Sequence, residues 1–163
     1  LASQTLVVHE RIGNWARHLR PRVAGWPVRL VETRSAADLE AAVAGVPCPL
    51  IVVDLARRPR PALEDLDRAL GVAPGALALV LNPQSFDGVA VLARELGATH
   101  VIDGPATPPA VAGLLARWLP LAHQRAEAAG RPWTHSPAGN PEPWAWLAPD
   151  LLAPAGPEPT PRG

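Results

Sequence analysis

The stretch "CPLIVVDLARRP", residues 48–59, decides the fold. Leu50 to Val53 are four apolar residues with no polar alternation, the composition of a strand covered on both faces in a parallel sheet. The run ends on a carboxylate, Asp54, and the loop beyond it carries Arg57, Arg58 and Arg60 among Pro59 and Pro61. A strand that delivers an acid at its carboxyl end and then passes into a helical pattern is one half of a βαβ unit.

The same unit recurs on either side of it. "TLVV" (5–8) precedes a helical "RIGNWARHLR" (11–20), which Pro21 is expected to end. "VRLVE" (28–32) precedes "SAADLEAAVAG", where Ser35 and Asp38 form a capping box and Gly45 closes the helix. "LIVV" itself leads to "PALEDLDRALG", with Leu63, Leu66 and Leu70 at i, i+3 and i+7. "ALALVL" (76–81) leads to "FDGVAVLARELG", with Val89, Leu92 and Leu96 on one face. "THVI" (99–102) leads to a last helix with Thr107 as N-cap and Pro108 at its first position. Its apolar stripe is Val111, Leu114, Leu115, Trp118 and Leu119. Five strands alternating with five helices predict a three-layer α/β sandwich with a parallel sheet in the flavodoxin-like order 2-1-3-4-5. That order sets the carboxyl ends of strands 1 and 3 side by side, so His9, Glu10 and Asp54 are expected to meet there.

Composition narrows the chemistry. The 163 residues fit one domain, 1–129, with a remainder, 130–163, and the 48% hydrophobic fraction is ample for a core. Fifteen bases balance fifteen acids, so no overall field steers the chain to nucleic acid or to an acidic membrane. All the bases are arginine. Without lysine there is neither a Walker A site nor a Schiff-base enzyme, and no G-x-S-x-G or G-x-G-x-x-G occurs. The lone Cys48 excludes an internal disulfide or a multi-cysteine metal site and reads as a small buried residue. The five histidines form no H-x-x-x-H pair, so no metal site and no cofactor are expected, and the loop after strand 1 is not the Ser/Thr-rich loop an FMN site wants. No apolar run is long enough to span a bilayer. The start lacks a basic n-region and a cleavage pattern, so the cytoplasm is the expected compartment; with no Met in the chain, the N-terminus is expected to be processed or trimmed.

Over roughly residues 4–120 the chain resembles a bacterial response-regulator receiver domain. The resemblance rests on "LVVHE" in place of the family's apolar strand ending in an acid pair, on "PLIVVDL" in place of the strand ending in the phosphoacceptor aspartate, and on "ELGATHVIDGP" in place of the segment around strand 5. It implies a pocket in which Asp54 stands at the acceptor position and His9 and Glu10 replace the Mg²⁺-holding acid pair. Asn82 falls where a Thr or Ser ends strand 4, and Gly104, before Pro105, falls where the family's Lys belongs. These departures matter physically. Mg²⁺ wants hard oxygen ligands in octahedral geometry, and His9 removes an oxygen and a charge. Glu10 is a methylene longer than Asp. Phosphoryl transfer rests on positioning and charge neutralisation, so a missing cation is expensive. Asp54 is therefore read as a strand-end carboxylate in a vestigial pocket, capping local N–H groups or pairing with an arginine.

The segment after residue 130 holds nine of the 21 prolines and three of the six tryptophans. Trp133, Trp144, Trp146, Leu147, Leu151 and Leu152 are too apolar for an inert linker, and Trp is a favoured hot-spot anchor. They are expected to dock on a partner protein, the alternative being that they cover their own domain. The Arg57, Arg58, Arg60 cluster reads as a solvated loop, with protein docking as the alternative and nucleic acid disfavoured. The resulting expectation is a non-enzymatic pseudo-receiver acting as an adaptor or structural subunit for protein partners, with a homo-oligomer left open. Its rivals are a receiver phosphorylated on Asp54 and a small-molecule binder at the strand 1/strand 3 crevice.

Overall fold

Alternation along the central strand builds two cores at once. In the computed structural model, which describes residues 3–130, β3 (Leu50–Asp54) sends Leu50 and Val52 to one face and Ile51 and Val53 to the other, all four wholly buried. Leu6 and Val8 of β1 (Gln4–His9) face the first core and Val7 the second. In β4 (Leu77–Asn82), Leu77, Leu79 and Leu81 join the first core while Ala78 and Val80 join the second. Period-2 geometry is the cause: successive strand residues point to opposite faces.

Helices cover both faces. The first core is closed by α1 (Asn14–Val23) through Ala16, Leu19 and Val23, and by α5 (Pro108–Ala129) through Val111, Ala112, Leu115 and Ala122. The second is closed by α2 (Ala36–Val43), α3 (Pro59–Val72) and α4 (Val89–Glu95) through Leu39, Val43, Leu63, Leu66 and Ala93. β2 (Val28–Thr33) and β5 (His100–Asp103) are the edges of a five-stranded parallel sheet ordered β2-β1-β3-β4-β5, which is the order expected from the sequence. No described helix is long and apolar enough to cross a membrane.

Register fixes what the carboxyl end presents. His9 lies opposite Thr33 on one side and Val53 on the other, Asp54 opposite Leu81, and Asn82 opposite Asp103. Local signals behave as chemistry dictates at α2, where the Ser35 hydroxyl accepts from the Asp38 N–H at 3.2 Å, and at α5, where the Thr107 hydroxyl accepts from the Ala110 N–H. Pro21 is a correction. It stands inside α1, which runs on to Val23. Pro21 and Arg17 are both exposed, so the Arg17 carbonyl deprived of its partner is open to water, and the proline is tolerated one turn from the helix end. The apolar residues Trp133, Trp144, Trp146, Leu147, Leu151 and Leu152 lie outside the described residues.

Burial sets the expected mutational response. Leu66→Ala, wholly buried on α3, lowers the unfolding free energy by about 2–5 kcal/mol. Val91→Ala, 58% exposed on α4, changes it by less than about 0.5 kcal/mol. Urea denaturation followed by circular dichroism measures both.

Candidate functional site

The residues expected at the carboxyl end of β1 part company. His9 continues the alternation of Val7 and turns toward α3, while Glu10 turns toward α1. The His9 imidazole is buried, its Nδ1 3.0 Å from the Thr33 hydroxyl and its Nε2 3.0 Å from the Asp65 carboxylate. With Nε2–H donating to Asp65, the ring ties β1 to β2 and to α3. His9 therefore parts from Glu10 and Asp54, because adjacent strand-end residues are sent to opposite sides of the sheet, while Glu10 stays near enough to Asp54 for its charge to act there.

Glu10 caps a helix. It is 2% exposed, and its two carboxylate oxygens accept from the backbone N–H groups of Trp15 at 2.7 Å and Ala16 at 2.6 Å. These are donors of the first turn of α1 with no partner inside the helix. The N-cap residue, Gly13, lies in the left-handed region at φ 78 and has no side chain to offer them. A carboxylate from the preceding strand takes over, where the positive end of the helix dipole favours it. The extra methylene that distinguishes Glu from Asp gives it reach.

Asn82 is a third internal tie. It is wholly buried; its amide donates to Asp103 at 2.7 Å and to the Phe86 carbonyl at 3.3 Å, and its side-chain oxygen accepts from the Phe86 N–H at 3.2 Å. The Asn82 carbonyl accepts from Ser85 and Gly104 as well. One residue thus holds the β4–α4 loop and the end of β5 together. Its acceptors and donors face protein groups, not an open site.

Asp54 and Gly104 do share a cleft. It has a volume of about 500 Å³, and Arg11, Trp15, Arg57 and Arg58 line it with them. Asp54 Oδ1 accepts from the Ala56 N–H at 3.0 Å, an Asx-type turn that holds Ala56 at φ 48. No arginine forms an ion pair with Asp54 among the described residues. Burial pushes the Asp54 carboxyl above the ordinary carboxylate range; the Ala56 N–H opposes that shift and the nearby Glu10 charge adds to it. Gly104 sits at φ 84, a conformation any side chain would strain, and a Cβ there would stand 3.6 Å from the Ser85 hydroxyl. Cys48, at the entrance of β3, is buried at the opposite end of the strand; its thiol donates to the Gly75 carbonyl, and burial pushes its pKa up.

The divalent cation that the resemblance implies does not fit this donor set. Both Glu10 oxygens hold N–H groups, His9 faces α3, and one Asp54 oxygen is held by Ala56. Only the second Asp54 oxygen is free of a protein hydrogen bond, and the acid pair through which such a cation is held is here a histidine turned away and a glutamate bound to a helix. Among the described residues no three His, Cys, Asp or Glu side chains gather as a metal-holding group. The partners Thr33, Asp65 and Asp103 escaped the sequence reading. Strand periodicity carries the only signal for Asp65: a polar residue following Val7 on the α2/α3 face needs a partner from those helices.

No family model matches the chain, and no curated protein sequence matches it. Solved structures do. A CheY-like response regulator receiver domain protein from Methanospirillum hungatei superposes with a TM-score of 0.62 at 14% identity, covering 77% of this chain and 98% of that one. The BeF3-activated DrrB receiver domain gives 0.60 at 15% identity, covering 72% and 97%. A response regulator from Burkholderia pseudomallei with a phosphorylated aspartic acid gives 0.57 at 18% identity, covering 72% and 74%. At such identities the likeness is one of fold: the chain has the fold of response-regulator receiver domains.

Two predictions follow from the geometry. Glu10→Ala strands two N–H groups and lowers stability by about 2–3 kcal/mol, and Glu10→Gln, which keeps an acceptor and loses the charge, costs about 1 kcal/mol; thermal and urea unfolding rank them. Asp54 has a raised folded-state pKa, so its ionisation weakens the fold as pH rises through that value. Asp54→Asn is therefore more stable than the parent at neutral pH. The difference closes as pH falls below about 4, and denaturation midpoints across that range check the sign.

Proposed function

We propose that the chain is a non-enzymatic pseudo-receiver that works by protein contact, as an adaptor or as a structural subunit of a larger assembly. The observation that carries this reading is the commitment of Glu10: both its oxygens hold the first turn of α1 at 2.6 and 2.7 Å. A receiver that relays phosphate needs that acid on a cation, and a cation is central to neutralising the transferred group. The whole chain has no lysine to supply the positive charge that the resemblance implies, and Gly104 stands at that position with a backbone hostile to side chains. What the molecule retains is a rigid framework with helical faces. The aromatic and apolar residues Trp133, Trp144, Trp146, Leu147, Leu151 and Leu152 supply an anchor in this reading, because large apolar side chains at such density favour a protein surface.

A second reading, phosphorylation of Asp54, is favoured by one observation. Asp54 lines an open cleft with Arg11, Arg57 and Arg58 around it, and these arginines offer charge, though with longer planar heads than an ammonium. The same cleft is where a small molecule would bind in the third reading.

Acetyl phosphate or beryllofluoride with Mg²⁺ separates the first two. Intact mass and the fluorescence of Trp15, which lines the cleft, are compared between the parent and Asp54→Asn. The expected outcome is the same trace for both. A phosphoryl adduct or a fluorescence change that disappears in Asp54→Asn refutes the contact reading and establishes the second.

A further inference from the structure

The net charge of zero hides a strong polarity. The two helices on one face of the sheet, α1 and α5, carry Arg17, Arg20, Arg22, Arg117 and Arg125 against the single acid Glu127. The three on the other face, α2, α3 and α4, carry six acids against three arginines. One helical layer is thus net positive by four charges and the other net negative by three.

Each layer also exposes apolar surface inside its charged field. Between α3 and α4 runs a groove of about 460 Å³ floored by Leu63, Val89, Leu92 and Leu96, with Glu64 and Asp67 on its lip. Leu92 is 44% exposed there, although its spacing marks it as a core residue. Arg60 reaches Glu64 within the same helix at 2.9 Å, an exposed pair worth little and readily exchanged. On α5, Leu121 is 39% exposed and stands one turn from Arg117 and one turn from Arg125. That ridge reads base, apolar, base, and the groove reads apolar with two acids, Glu64 and Asp67, and one base, Arg60, on its rim.

We infer that the α3/α4 groove receives the Arg117–Leu121–Arg125 ridge of a second copy of this chain, so that molecules associate head to tail. Charge complementarity selects the occupant. A two-fold pairing of either layer with itself sets like charges face to face, whereas basic layer on acidic layer pairs unlike ones. Such a heterologous contact leaves one free ridge and one free groove at every stage. It therefore propagates into open chains or rings and does not stop at a dimer. The inference deepens the contact reading above and rests on it for its purpose, but the two fail separately: Asp54 phosphorylation sinks that reading, while a fixed mass sinks this one.

Sedimentation velocity and light scattering test it on the full chain, from about 10 μM to about 1 mM, the range of weak contacts. At about 20 mM salt the weight-average mass at least doubles across that range, and at about 0.5 M salt the rise is lost through screening. R117E/R125E and E64R/D67R each stay at the mass of one chain, and an equimolar mixture of the two regains the rise, because ridge and groove are again complementary in both directions. R29E/R34E, on and just beyond β2, shifts net charge equally but lies off both surfaces, and it associates like the parent. A parent mass that stays at one chain throughout overturns the proposal. So does a loss of association in R29E/R34E as large as in R117E/R125E, which would mark the attraction as unspecific.

Discussion

The Glu10 carboxylate on the first turn of α1 is the contact around which the carboxyl end of the sheet is arranged. The helix begins on Gly13, which has no side chain to serve as a cap, and its next donors lie where water has little access. A buried carboxylate is costly unless it is well hydrogen-bonded, and unpaired helix donors are costly in the same way. Each cost cancels the other. The arrangement docks α1 against β1 and draws the acid out of the cleft that Asp54 lines. The chain has the receiver fold, and at this corner the Glu10 charge is engaged in holding a helix.

His9 and Asn82 follow the same logic. Each is a polar residue at a strand end, each is buried, and each has found protein partners for its polar atoms: Thr33 and Asp65 for one, Asp103 and Phe86 for the other. No buried side-chain nitrogen or oxygen among the described residues lacks a partner. Buried polar groups of this kind act as cross-links between elements that the cores join only through apolar packing. Of the five residues expected to share one pocket, Asp54 and Gly104 line the cleft, and three brace the loops around it.

The fold was legible because it depends on composition over short windows. "LIVV" and "ALALVL", short apolar runs between turn signals, suit strands buried on both faces, and Ser35 and Thr107 announce helix starts by side-chain chemistry that acts within three residues. The site was less legible because its partners are remote. Asp65 lies 56 residues from His9, and nothing in the spacing of "PALEDLDRALG" singles it out from its acidic neighbours. Asp103 was visible within "VIDGP", yet its bond to Asn82 depends on the β4–β5 register, which no local pattern states. Glu10 was read as a defective ligand; that it is a helix cap depends on Gly13 being the N-cap. Pro21 misled for the reverse reason: a strong local rule yields when the broken bond faces solvent.

Gly104 carries a consequence for mutational access. With its backbone at φ 84 immediately ahead of Pro105, the position admits glycine and penalises every other residue. A lysine installed there by a single codon change would first have to rebuild the loop that carries it. Freeing Glu10 from α1, or replacing His9 against Asp65, likewise weakens the fold. One glycine thus couples the backbone of the β5–α5 loop to what that corner of the cleft can carry, so the side chains available there are set by loop geometry before any chemistry is considered.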